Sequence, residues 1–216
     1  MESERYAARL AASSHPIDPL PPPGRRAALW LTLSAAWVAV VLLATGPGEG
    51  LLRTDNARAV VEFAAALATA ILAALAAFQS VVPGTRRNWT WLALIPAGIW
   101  FAVIGQGVVA DFVEEGRAGI ALHFDSACIP PMILAGLAPA LAMVLMLRRG
   151  APLRPRVTLM LAALATGALA NASLHTVHGP DASIMTLVWH FGLVAGFAGL
   201  SAMIAPLLLS WRRLAA

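Results

Sequence analysis

The residues richest in chemistry sit between apolar runs. His123, Asp125 and Cys128 close a connection that also holds Asp111, Glu114 and Glu115, and Cys128 leads into Ile129-Pro130-Pro131. A later connection carries His175, His178 and Asp181. Thiolate, imidazole and carboxylate gathered on one face would suit a soft or borderline divalent metal such as zinc or cadmium. His175 and His178 are three apart and share a face if the helix before them continues that far. Cys128 stands at a helix start, where the backbone dipole favours thiolate while the neighbouring acids oppose it. The plainer alternative is a small residue at a helix entry. For Asp181, two residues before Ser183, the plainer role is to help start the next helix.

Cys128 is the only cysteine, so one chain has no internal disulfide, no CxxC pair and no all-cysteine metal site. There is no HExxH, no glycine-rich phosphate loop and no nucleophile-base-acid set at a recognisable spacing. A non-enzyme is the expectation. Bound haem would need axial histidines at matched depths, and only His190 lies well inside an apolar run. A haem- or quinone-binding redox protein and a small transporter or channel component are the competing readings. For the latter, Gln106, Asn171 and His190 are the only polar hints along the runs.

The elements that must position these residues are set by composition. The 216 residues are 59% hydrophobic and 12% charged, against about 25% charged in a soluble domain. Apolar runs cover about 27–46, 59–82, 90–109, 129–147, 156–174 and 184–208. Each approaches the roughly 20 residues needed to cross a hydrocarbon core, where only internally hydrogen-bonded backbone is tolerated. The fold class expected is therefore all-α: a polytopic membrane protein with a six-helix transmembrane bundle over 27–209. A polar tail over 1–26 precedes it and a short C-terminus over 210–216 follows.

Arginine sets the orientation, because the chain has no lysine. Twelve of its fifteen arginines fall in the tail, the second and fourth connections and the C-terminus. The positive-inside rule then puts both termini in the cytoplasm, and Cys128 with its acidic neighbours on the far side. Trp30, Trp89, Trp91 and Trp211 fall where an interfacial aromatic belt is expected. Gly192, Gly196 and Gly199, like Ala163, Gly167 and Ala170, would let helices approach closely. Pro96, Pro139 and Pro206 should kink their spans. In the tail, Tyr6 and Leu10 are four apart and form an apolar stripe on a short helix, before a semi-rigid Pro21-Pro22-Pro23 spacer. A helix this short is marginal in water and would be firm only against a partner or the membrane surface.

Taken along the chain, these features resemble the NrsF family, membrane-bound negative regulators of an extracytoplasmic-function (ECF) sigma factor. The likeness runs through Pro21-Pro22-Pro23-Gly24-Arg25-Arg26, Ser80-Val81-Val82-Pro83-Gly84 and Cys128-Ile129-Pro130. It continues through Arg148-Arg149-Gly150-Ala151-Pro152-Leu153-Arg154-Pro155 and His178-Gly179-Pro180-Asp181 to Trp189-His190. The resemblance implies an anti-sigma factor of the bacterial inner membrane. It would hold an ECF sigma factor on the cytoplasmic side, without contacting nucleic acid, and release it on an envelope, heavy-metal or oxidative signal. Tyr6 and Leu10 would lie in a groove of the sigma factor, and Arg5 and Arg9 would meet its acidic groups. Members of the family use two cysteines on the outer side; here Cys128 is kept and His178 stands where the second would. That departure removes an internal disulfide switch. It leaves a mixed site in which Cys128 and His178 bind a metal, or a cysteine bridge across a homodimer.

Overall fold

The computed structural model describes residues 2–13, 19–45, 57–85, 89–122, 129–174 and 183–209. Among the described residues regular structure is helical throughout. A short helix, α1 (Glu2–Ser13), forms where the Tyr6/Leu10 spacing places one. The bundle then comprises α2 (Pro23–Thr45), α3 (Ala57–Ser80), a single turn α4 (Trp89–Leu92), α5 (Leu94–Glu115), α6 (Ile129–Leu147) and α7 (Pro155–Leu174). The last helix starts as α8 (Ser183–Met185), passes through a π-helical turn (Thr186–Phe191) and continues as α9 (Gly192–Leu208). Five of these helices are long and apolar enough to cross a membrane; the apolar stretch of α6, Met132–Leu147, is shorter.

The bundle is built around α7, which packs on α3, α6 and α9, while α3 also packs on α5 and α2. Twelve of the 20 residues of α7 are buried, most of them Ala, Thr, Ser or Leu. Small side chains on every face are what let it sit between three neighbours. A Cβ on Gly167 would lie 2.8 Å from Val194 of α9, so this glycine sets the closest approach of that pair. Gly196 and Gly199, by contrast, have no atom within 4 Å of where a Cβ would stand. The close packing expected from α9 is supplied by α7 instead. Outward-facing side chains such as Leu43, Leu137, Leu145 and Met203 are exposed, which is compatible with a bundle that has lipid for solvent.

Two expectations need correction, and one about proline holds. The third apolar run does not end near residue 109: α5 continues through Asp111, Glu114 and Glu115 to a turn at Gly116, whose φ of 64° suits glycine. Asp111 is thereby a helix residue, because a carboxylate paired at the helix surface does not interrupt the backbone ladder. Pro96 interrupts its span as expected: the apolar helix Thr90–Glu115 breaks at Ala93, between α4 and α5, in the turn before the proline, whose ring and missing N–H exclude the helical bond to Leu92 O. Trp30 is no belt residue; it is fully buried, and its indole N–H donates to Pro139 O at 2.9 Å. Trp91 is 60% exposed, as a belt residue would be, and Pro139 and Pro206 do lie inside helices.

Candidate functional site

Two polar junctions stand at opposite ends of the bundle. At the acidic end, Arg58 in the first turn of α3 faces Glu62 one turn on, with Nε 3.8 Å from Oε1. Its Nη1 lies 3.9 Å from Asp111 Oδ1 on α5. Asp111 Oδ2 accepts a hydrogen bond from the backbone N–H of Ser183, the first residue of α8, at 2.8 Å. One carboxylate thus ties three elements: it neutralises a cation from α3 and satisfies an otherwise unpaired amide at a helix start. Gly107 makes room for this, since a Cβ there would stand 2.3 Å from Ser183 Oγ and 2.7 Å from Arg58 Nη1.

This junction anchors both connections in which chemistry was expected. Asp111 lies near the end of α5, at the head of the segment that runs to His123, Asp125 and Cys128. Ser183 ends the segment that carries His175, His178 and Asp181. Those six residues lie outside the described residues, as does any role of Asp181 in starting the last helix; the described partner of the Ser183 amide is Asp111. Among the described residues no group of three His, Cys, Asp or Glu side chains could hold a metal ion. Sequence reasoning placed Arg58, Glu62 and Asp111 near this face but did not join them. The i,i+4 spacing of Arg58 and Glu62 was the available signal.

At the arginine-rich end, two of the motifs named above meet. Val81 O accepts from Ala151 N at 2.9 Å, and the Ser80 and Thr158 hydroxyls are 2.8 Å apart. A Cβ on Gly150 would come within 2.7 Å of two Val81 side-chain atoms, so only glycine lets the α6–α7 connection lie against the end of α3. Beside them Arg26, 5% exposed, donates through Nη2 to Met146 O in the last turn of α6, and its guanidinium lies 4.8 Å from the centre of the Phe78 ring. By sequence Arg26 counts with the tail's free charges. Its neighbour Arg25 is exposed and fits that description; Arg26 does not, because it shares a face with buried Trp30 four residues on. Residues 19–22 of the proline spacer therefore enter the bundle at a fixed point, the Arg26–Met146–Phe78 contact.

Beyond the spacer, the described side chains of α1 are exposed, Tyr6 at 67% and Arg5 and Arg9 with it; the Leu10 side chain is not among those described. This is a helix with an apolar residue presented to the surroundings and tethered beside the arginine-rich junction. Neither the curated proteins nor the solved structures provide a match to the chain. The model of one protein family, NrsF, described as negative regulator of sigma F, matches residues 10–211, from the end of the tail helix through all the bundle helices. On that match the chain belongs to the NrsF family of negative regulators of sigma F.

Proposed function

We propose that the protein is a membrane-embedded anti-sigma factor that holds an ECF sigma factor at the bacterial inner membrane and releases it on an envelope, heavy-metal or oxidative signal. The observation that carries the reading is the family match, which spans residues 10–211. The exposed α1 with Tyr6, Arg5 and Arg9 supports the tail, with Leu10, as the sigma-binding element. The arginine asymmetry supports cytoplasmic termini, and with them six spans, α6 (Ile129–Leu147) being the sixth.

Sensing is assigned to the opposite face. Cys128 and His178, with His123, Asp125, His175 and Asp181 close in sequence, form a site for zinc, cadmium or an oxidant in this reading. Cys128 immediately precedes α6, and Met146, which accepts from Arg26, lies in the last turn of the same helix. A ligand that pulls Cys128 toward the end of α7 shifts α6 as a unit, and the carbonyl holding Arg26 moves with it. The tail then changes its presentation to the sigma factor. The ligand drives this change only by its differential affinity for the two packings.

The test is a pull-down of the full chain from detergent-solubilised membranes. The parent should retain an ECF-type sigma factor, and a Tyr6→Ala, Leu10→Ala double variant should lose at least about 90% of it, as removal of a central anchor pair worth roughly 2 kcal/mol implies. A double variant that retains the parent amount would move the binding surface away from the tail. A parent that retains no sigma factor would overturn the reading itself.

A further inference from the structure

Among the described residues four buried side chains carry polar atoms not matched by protein: Arg26, Ser34, Trp100 and Asn171. Asn171 on α7 and Trp100 on α5 are both fully buried. Neither amide atom of Asn171 and not the indole nitrogen of Trp100 has a hydrogen-bond partner among the described residues. Such groups are rarely left unmatched inside a folded protein, and when protein does not satisfy them ordered water does.

Three independent contacts put the two residues at one depth. The Ser80–Thr158 hydroxyl contact sets the antiparallel register of α3 and α7. Thirteen residues along from it, Asn171 is level with Leu67. The Arg58–Asp111 pair sets the register of α3 and α5, and eleven residues along from it Trp100 is level with Thr69. A two-residue offset is about 3 Å along a helix. The Gly167–Val194 contact sets the register of α7 and α9, and four residues along it Asn171 is level with position 190 in the π-helical turn. From that turn Phe191 meets the Trp100 ring edge-on, with centroids 5.3 Å apart.

The helices concerned form a ring. α3 packs on α5 and on α7; the last helix packs on α5 through α8 and the π turn, and on α7 through α9. Trp100 and Asn171 sit on opposite members of that ring. Around them at this depth the lining is small or apolar: Ala66, Ala70, Ile104 and Ala168, all buried. Thr69, also fully buried, donates its hydroxyl hydrogen to Ala65 O at 2.7 Å, which leaves its oxygen as a further acceptor. The π turn is a second, separate sign. Such turns occur where a helix is widened by one residue, often at a functional position, and here the Gly192 amide is shared between Leu187 O and Trp189 O.

We infer that Asn171 and Trp100 hold an ordered internal water in the middle of the bundle, which bridges α5 to α7 beside the π turn. The water accepts from the Trp100 N–H and donates to Asn171 Oδ1, and the Asn171 amide N–H is directed to the same water. A ligand here has to be small and carry both donors and acceptors, because among the described residues the lining apart from Thr69 is apolar; water meets both conditions.

The experiment is magnetisation transfer from water to indole protons in the full-length protein, 15N-labelled at tryptophan and held in detergent micelles. Trp100→Phe identifies which of the seven indole signals belongs to Trp100. The result expected is a direct water cross peak at the Trp100 indole proton, which Asn171→Leu abolishes while the other indole signals keep their positions. Should Asn171→Leu not fold, Asn171→Ala serves in its place, and the parent cross peak stands as a test on its own. A Trp100 indole proton with no water cross peak, or with one unchanged in the folded Asn171 variant, overturns the inference. So does a cross peak to a protein side chain in place of water.

Discussion

Gly107 shows how narrowly the acidic junction is fitted. Two residues earlier on α5, Gly105 has no atom within 4 Å of where its Cβ would stand, whereas at Gly107 the Ser183 side chain and Arg58 are both closer than a Cβ tolerates. Gly107→Ala must displace the start of the last helix or the guanidinium, and overpacking of this kind costs about 1–3 kcal/mol. Gly105→Ala should leave stability unchanged or raise it by up to about 1 kcal/mol, the helix-propensity difference. Midpoints of denaturation in mixed micelles would separate the two, and equal midpoints would refute the described fit. Single residues were the least legible level of the sequence. Charge counting alone cannot tell Arg25 from Arg26, since burial of the second depends on a carbonyl 120 residues away. Asn171 is an isolated polar hint in the sequence, and nothing links it to Trp100 until helix register puts the two level.

Among the elements, α2 depends on α6. Besides the Trp30 bond to Pro139 O, the Trp37 indole N–H donates to Leu134 O at 2.9 Å, so two donors two turns apart on one face hold α2 to the backbone of α6. Trp30 is fully buried and Trp37 is not. Trp30→Phe should therefore cost about 0.5–1.5 kcal/mol, the net value of an internal hydrogen bond, and Trp37→Phe less. The same micelle denaturation reads both; a larger loss at Trp37 would contradict the burial difference. Element positions were largely legible, because the thickness of a bilayer fixes how long an apolar run must be. The runs at 129–147 and 156–174 coincide with α6 and α7 within one residue. Legibility failed where polar residues continue a helix, as at Asp111 to Glu115, and where a π turn leaves no mark on composition. The inward faces were hidden for a related reason. With lipid as solvent both sides of a helix are apolar, and periodicity no longer separates core from surface.

For the whole molecule, the number of spans decides which side each end of the chain occupies. Five helices are long enough to cross by themselves, and an odd count would put the two termini on opposite sides. The proposed orientation, with both termini cytoplasmic, rests on the arginine distribution and on an even count in which α6 (Ile129–Leu147) is the sixth span. Because Cys128 is the only thiol, a membrane-impermeant maleimide applied to intact spheroplasts should label it directly. In a Cys128→Ser background, Ser13→Cys and Ala216→Cys should both stay unlabelled until the membrane is opened. Labelling of either terminal thiol in intact spheroplasts would refute the even count. The arrangement of the bundle, unlike its orientation, could not be read from the sequence: that α7 would be the central helix follows from small side chains on all its faces, which composition records only as a run of alanines.

The central place of α7 has a consequence for how the protein is made. Of the five helices long enough to cross, it is the least apolar and the most buried. A segment with so modest an affinity for hydrocarbon gains little by leaving the translocation machinery into bare lipid. It gains much more by entering a slot already lined by α3 and α6, both of which precede it in synthesis. In the proposed membrane setting helix order becomes part of the assembly route: the early helices would form a receptacle, α7 would enter it, and α9 would close the remaining side.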